Sequence, residues 1–137
     1  MQVTCAMELK STSPIENKKS YMAFMPAVVV AAGIAVLSLA EASQMPSAQV
    51  NDKLVHGVMY LALAVTLMGG FAYIRRAKAL YYILTCVLAI LYGGAMEVLQ
   101  RYCTLTRSAD IMDLLADGIG AVAGVTLFYL IRTFVRR

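Results

Sequence analysis

Ionisable side chains stand at helical spacing beside apolar sequence in three places. The first reads Asn51-Asp52-Lys53-Leu54-Val55-His56-Gly57-Val58-Met59-Tyr60. Asp52, His56 and Tyr60 recur every four residues, so on a helix they share one face. A carboxylate one turn before an imidazole can fix the ring's orientation for proton transfer or anion contact. The plain alternative weighs equally: Asn51 and Asp52 cap the helix, Lys53 snorkels, and His56 is a satisfied interfacial residue. The second place is Gly93-Gly94-Ala95-Met96-Glu97-Val98-Leu99-Gln100-Arg101. Gly93, Glu97 and Gln100 line one stripe, along which another helix can approach at the glycine. Glu97 and Arg101 can pair locally at four residues' separation. Gln100 has no such simple account.

The third place runs from Arg107 to Gly124. At about 100° per residue, Asp110, Asp113, Asp117, Gly120 and Gly124 fall within an arc of about 80°. The Gly120-x-x-x-Gly124 pair is a helix-packing signal, so the acidic residues lie on the stripe expected to face other helices. With Ser108 as N-cap, Asp110 is accounted for by the helix dipole. That account weakens at Asp113 and fails at Asp117, two turns in. Asp113 and Asp117 repel if both are ionised. Either one holds a proton, or a cation such as Arg107, Lys53, His56 or a metal lies between them.

Such groups can serve two chemistries. Lys53, His56 and Arg107 can contact a phosphate or carboxylate, with the carboxylates orienting them or accepting hydrogen bonds from sugar hydroxyls. Alternatively, His56 or Glu97 is a general base, Arg107 a charge stabiliser and the Asp pair a metal site. No nucleophile motif accompanies them. One His among scattered carboxylates is poor metal-site spacing, so neither a metal nor another cofactor is expected.

The elements that must position these residues are membrane helices. The chain has 137 residues, 61% hydrophobic and 15% charged. Soluble domains are typically about 45–50% apolar and about 25% charged. That hydrophobicity excludes a disordered chain, and the length excludes a multidomain enzyme. Four stretches carry the apolar mass: 20–40, 54–74, 79–96 and 111–131. Each meets or approaches the roughly 20 residues needed to cross the hydrocarbon. None alternates as a strand does. The expected fold is all-α, a bundle of four transmembrane helices in a single domain over residues 20–137. Residues 1–19 are expected to form a flexible tail.

Short polar connections at 41–53, 75–78 and 101–110 separate the stretches. Lys10, Lys18, Lys19, Arg75, Arg76, Lys78, Arg132, Arg136 and Arg137 fall on one side of the membrane. Lys53, Arg101 and Arg107 fall on the other. The positive-inside rule then puts both termini in the cytoplasm. Glu41, Asp52, Glu97, Asp110, Asp113 and Asp117 gather on the outer side. The net charge of +4 thus reports orientation, and a nucleic-acid partner is not expected. Lys18-Lys19, an apolar run and Ala40-Glu41-Ala42 also resemble a signal peptide, but the run is longer than the usual apolar core, which favours an uncleaved helix. Cys5, Cys86 and Cys103 have no metal or redox spacing, and no intrachain disulfide is expected.

At these residues the sequence resembles the VanZ-like family of small bacterial membrane proteins. The resemblance rests on Asp52-Lys53, His56, Tyr60, Glu97, Gln100, Arg107, Asp110, Asp113, Gly120 and Gly124 in that order, and covers roughly residues 22–131. Asp117 stands where the family pattern has Asn, which adds a negative charge. The resemblance implies a helical protein of the bacterial inner membrane, in a family whose founding member is associated with resistance to the glycopeptide teicoplanin. A phosphotransbutyrylase activity attached to some members finds no acyl-CoA or phosphate-binding motif here.

Buried charges need partners. The expectation is therefore an outward-facing polar pocket of Asp52, Lys53, His56, Tyr60, Glu97, Gln100, Arg107, Asp110, Asp113 and Asp117. Gly93, Gly120 and Gly124 are the expected packing positions. Three functions stay open: binding of a lipid head group or lipid-linked envelope component, intramembrane enzymology on a lipid phosphate or glycosyl lipid, and a structural role in a larger complex. The Gly120–Gly124 pair could also serve a homo-oligomer.

Overall fold

The computed structural model describes residues 14–39, 49–74, 78–103, 111–135 and 137, with side chains from residue 20 in the first stretch and residue 53 in the second. All of them but Lys78 and Arg137 lie in four helices: α1 (Pro14–Leu39), α2 (Gln49–Ile74), α3 (Ala79–Cys103) and α4 (Ile111–Val135). Each is long and apolar enough to cross a membrane, over Ser20–Leu39, Lys53–Ile74, Ala79–Cys103 and Ile111–Val135. At 1.5 Å per residue, 25 or 26 residues span about 38 Å, which exceeds the roughly 30 Å of hydrocarbon.

The helix ends differ from the expected ones in a consistent direction. α1 opens at Pro14, so residues 14–19 are helical, ahead of the apolar span that begins at Ser20. Proline at a first helical position loses no hydrogen bond and has its φ already set. α2 opens at Gln49, so the backbone of Asn51 and Asp52 lies within its first turn. α3 runs to Cys103 and holds Arg101 in its last turn, where a cation suits the helix dipole. Apolar runs mark the hydrocarbon, whereas the helices continue past it by about a turn into polar sequence.

Successive helices run in opposite directions. Tyr60 lies beside Tyr92, and Met68 accepts a hydrogen bond from Thr85, so α2 and α3 are antiparallel. Ala31 and Ser38 of α1 meet Tyr92 and Gln100 of α3 in the same order along both chains, so these two are parallel. Among the described residues, α2 and α3 each touch every other helix, and they separate α1 from α4.

The closest seam joins α2 to α4, which run parallel. A Cβ at Gly120 would fall on the Gly57 carbonyl oxygen and within 2.9 Å of Gly57 Cα. One turn deeper, a Cβ at Gly124 would lie 2.5 Å from Leu61 O and 2.9 Å from the Ala64 Cβ. Only glycine allows backbones to come this close. In a bilayer, where lipid tails are as apolar as leucine, such close packing and interhelical hydrogen bonds hold helices together. Gly120 and Gly124 are thus occupied within the chain. Ile34, Tyr60, Leu63, Ala64, Ala89, Met96 and Ala121 form the buried apolar core. At the opposite end, Phe71 packs edge-on against Phe24 and stacks on Tyr81 at 5.0 Å.

Candidate functional site: a buried polar cluster at one end of the bundle

Three helices bring their polar residues to the end where α2 and α4 begin and α3 finishes. On α4 the period of the stripe decides which acids turn inward. Asp117, Gly120, Ala121 and Gly124 are buried, and Asp113 is half-buried at the rim. On α3 the stripe is Thr85, Ala89, Gly93, Met96, Glu97 and Gln100. On α2, His56 and Tyr60 are buried one turn apart.

The two acidic residues of α4 are met by Lys53 and His56 of α2. Lys53 Nζ donates to Asp113 Oδ1 at 3.3 Å, and His56 Nδ1 lies 3.0 Å from Asp117 Oδ1. These rungs follow directly from the parallel seam, because 53 and 56 face 113 and 117 at matching heights. Asp113 and Asp117, expected to repel one another, thereby each have a separate partner on α2. The upper rung is wet, with the Lys53 side chain 44% exposed. The lower one is dry, with His56 and Asp117 side chains 4% and 1% exposed. Asp117 lies six residues into α4, about 9 Å below the helix start.

The second Asp117 oxygen, Oδ2, faces α3 at Gly93, where an added Cβ would stand 2.6 Å from it. Gly93 therefore makes room for the carboxylate, in addition to any part in helix approach. Glu97, one turn further along α3, is buried on the same side. Tyr60 is fully buried, with Asp117, Tyr92 and Glu97 all within electrostatic range of its hydroxyl. Among the described residues that hydroxyl has no hydrogen-bond partner. With an ionised Asp117 accepting a hydrogen bond from the Nδ1–H, a neutral His56 ring keeps its proton on Nδ1 and carries its lone pair on Nε2.

Gln100 has a structural partner. Its Nε2 donates to Ser38 O at 2.9 Å. Ser38 is the last residue but one of α1, and its carbonyl is among the four that a helix end leaves unpaired. Tyr92 makes a similar tie, its hydroxyl donating to Ala31 O at 2.7 Å. Of the remaining expected site residues, Arg107 and Asp110 lie outside the described residues, as does the side chain of Asp52.

Sequence reasoning missed Tyr92, Ser38 and Gly57. Tyr92, Met96 and Gln100 recur every four residues, a signal that extends the Gly93–Glu97 stripe. Gly57, beside His56, is the counterpart of Gly120, but nothing in its own neighbourhood marks it as such. Among the described residues no group of three or more His, Cys, Asp or Glu side chains is placed to hold a metal ion.

The sequence model of the family described as VanZ/LLP1 matches residues 4–132. No curated protein and no solved structure matches the chain.

Proposed function

The chain belongs to the VanZ/LLP1 family, and from that premise we propose that it is an envelope protein of the bacterial cytoplasmic membrane that binds the polar head group of a lipid or lipid-linked wall precursor. Both termini lie inside, and the polar cluster opens outward. The distribution of Lys and Arg supports this orientation, since the basic tail, the 75–78 connection and the C-terminus share one side.

The observation that carries the reading is the double rung of Lys53–Asp113 over His56–Asp117. An ion pair taken out of water commonly stabilises no more than apolar residues of the same size. Ionisable groups inside a membrane segment are rare and tend to mark sites of function. The rungs lead from an exposed ammonium to a dry carboxylate, which suits a ligand approaching from the membrane surface. Lys53 and Arg107 contact a phosphate or carboxylate at the rim, and the deeper groups read the rest of the head group.

Lipid binding by the purified protein tests this. Arg107→Ala/Asp113→Ala is expected to lower retention of a bound lipid by about tenfold or more, equivalent to about 1.4 kcal/mol. Equal retention by wild type and variant would overturn the reading.

One observation favours a second reading, intramembrane catalysis. The Nδ1 contact with Asp117 directs the neutral imidazole's lone pair to Nε2, as a general base requires. Turnover of a head-group-labelled lipid by purified protein, abolished in His56→Ala, would decide for it.

A further inference from the structure

We infer that the end of the bundle opposite the polar cluster docks the phosphate of an anionic lipid, with Arg132 of α4 as its main contact. The starting observation is one guanidinium. Arg132 stands in the last turn of α4 and is half-buried. Its Nη1 is shut off from solvent and has no hydrogen-bond partner among the described residues. Among them, too, no carboxylate pairs with it. The helix dipole accounts for a cation at this position. It does not account for a shielded N–H without an acceptor, since a snorkelling side chain keeps its charged head in water. A guanidinium cannot shed its charge to relieve this, so an anion is what completes it.

The chain's own acids are placed elsewhere. Asp117 is the nearest described acid along α4, fifteen residues and about 22 Å away. Glu97 lies towards the far end of α3. Glu16 belongs to α1, which α2 and α3 separate from α4. The register of α3 on α4 adds more positive charge. Tyr82 and Tyr129 pack edge-on at 6.1 Å where the two helices run antiparallel. One turn further out, the start of α3 is level with Arg132, and the exposed Lys78 stands at that height. Arg75 and Arg76 precede it in sequence.

Depth names the source of the anion. With α4 centred on the bilayer, the Arg132 Cα lies nine residues, about 14 Å, from the midplane. That is just inside the roughly 15 Å half-thickness of the hydrocarbon, so the side chain reaches the level of the lipid phosphates. Leu80 and Ile83 on α3, and Ile131 and Val135 on α4, are exposed around this level and give acyl chains an apolar bed. A free phosphate uses the cation alone, whereas a lipid uses both. Guanidinium meets phosphate through two parallel N–H···O bonds, and the part of Arg132 that stays open to the surface admits them. Basic pockets between membrane helices on the cytoplasmic side take anionic head groups, and the orientation proposed above puts this end there.

A lipid held on the surface exchanges with detergent, so the test is a titration. The full chain in detergent receives short-chain phosphatidylglycerol or phosphatidylcholine, and thermal shift is the readout. Phosphatidylglycerol is expected to bind about tenfold more tightly, with the preference lost in Arg132→Gln. Arg132→Lys keeps the charge without the planar fork, so it should lower the preference about threefold, and it stands in should Arg132→Gln misfold. Arg137→Gln, at an exposed position beyond the helix, should leave the preference intact. The His56→Leu/Asp117→Leu variant should also keep it, which separates this end from the polar cluster. Equal binding of the two lipids overturns the inference, as does an equal loss in Arg137→Gln or a loss in the His56/Asp117 variant. A response to inorganic phosphate as strong as that to phosphatidylglycerol overturns the lipid as the occupant.

Discussion

Removing the imidazole of His56 leaves Asp117 buried against α2 with its carboxylate unanswered. Breaking a buried pair from one side typically costs about 3–5 kcal/mol, so His56→Ala should unfold far more easily in detergent than the wild type. Replacing both partners by leucine should recover most of that loss, because neither position then holds an unpaired polar group. Equal destabilisation by the single and double variants would contradict the pairing. The rim behaves differently. Lys53 is 44% exposed, so Lys53→Ala should cost no more than about 1 kcal/mol and the effect should fade with salt. At this scale the sequence named the residue types and offered Lys53 and His56 among the candidate partners of Asp113 and Asp117, which is where the structure places them. The four-residue spacing of Asp52 and His56 puts both on one face of α2, and across the seam the structure places Asp117, sixty-one positions after His56, 3.0 Å from its ring. Local spacing says which groups share a face, and only the register between helices says what that face meets.

Register is set by the glycines. Gly57 and Gly120 let α2 and α4 touch backbone to backbone, and that contact puts 53 and 56 level with 113 and 117. Gly120→Ala must push a methyl group onto the Gly57 backbone. It should cost at least about 1–3 kcal/mol and separate the rungs, so that thermal stability and ligand retention fall together. Gly94→Ala meets nothing within 4 Å and is the control, neutral or stabilising by up to about 1 kcal/mol. Equal thermal shifts for the two variants would argue against the seam. Gly93→Ala should act on the site itself, since its methyl group meets the Asp117 carboxylate and not a helix backbone. The four helices were legible from apolar length alone, and Gly120-x-x-x-Gly124 was legible as a packing motif. Which helix it packs was not, because small residues admit a neighbour without naming one. Gln100 is a related case: its position on the stripe was plain, but its partner is a carbonyl at the end of α1, which no side-chain pattern encodes.

Across the whole molecule, the layout of a few charges distinguishes the two ends. One end carries aromatic stacking among Phe24, Phe71 and Tyr81, and the basic connection lies beyond it. The other carries the acids of α2, α3 and α4. If both termini are inside, an impermeant maleimide applied to intact cells should label Cys103, which is exposed at the end of α3, and should reach Cys5 only after permeabilisation. The reverse pattern would invert the site to the cytoplasmic side. The central claim is that the buried polar cluster exists to hold a head group. Native mass spectrometry of detergent-extracted protein addresses it most directly, comparing wild type with the His56→Leu/Asp117→Leu variant, whose fold should survive. A lipid-sized adduct on the wild type that is lost from the folded double variant is the predicted result. The same adduct on both, or on neither, would contradict it.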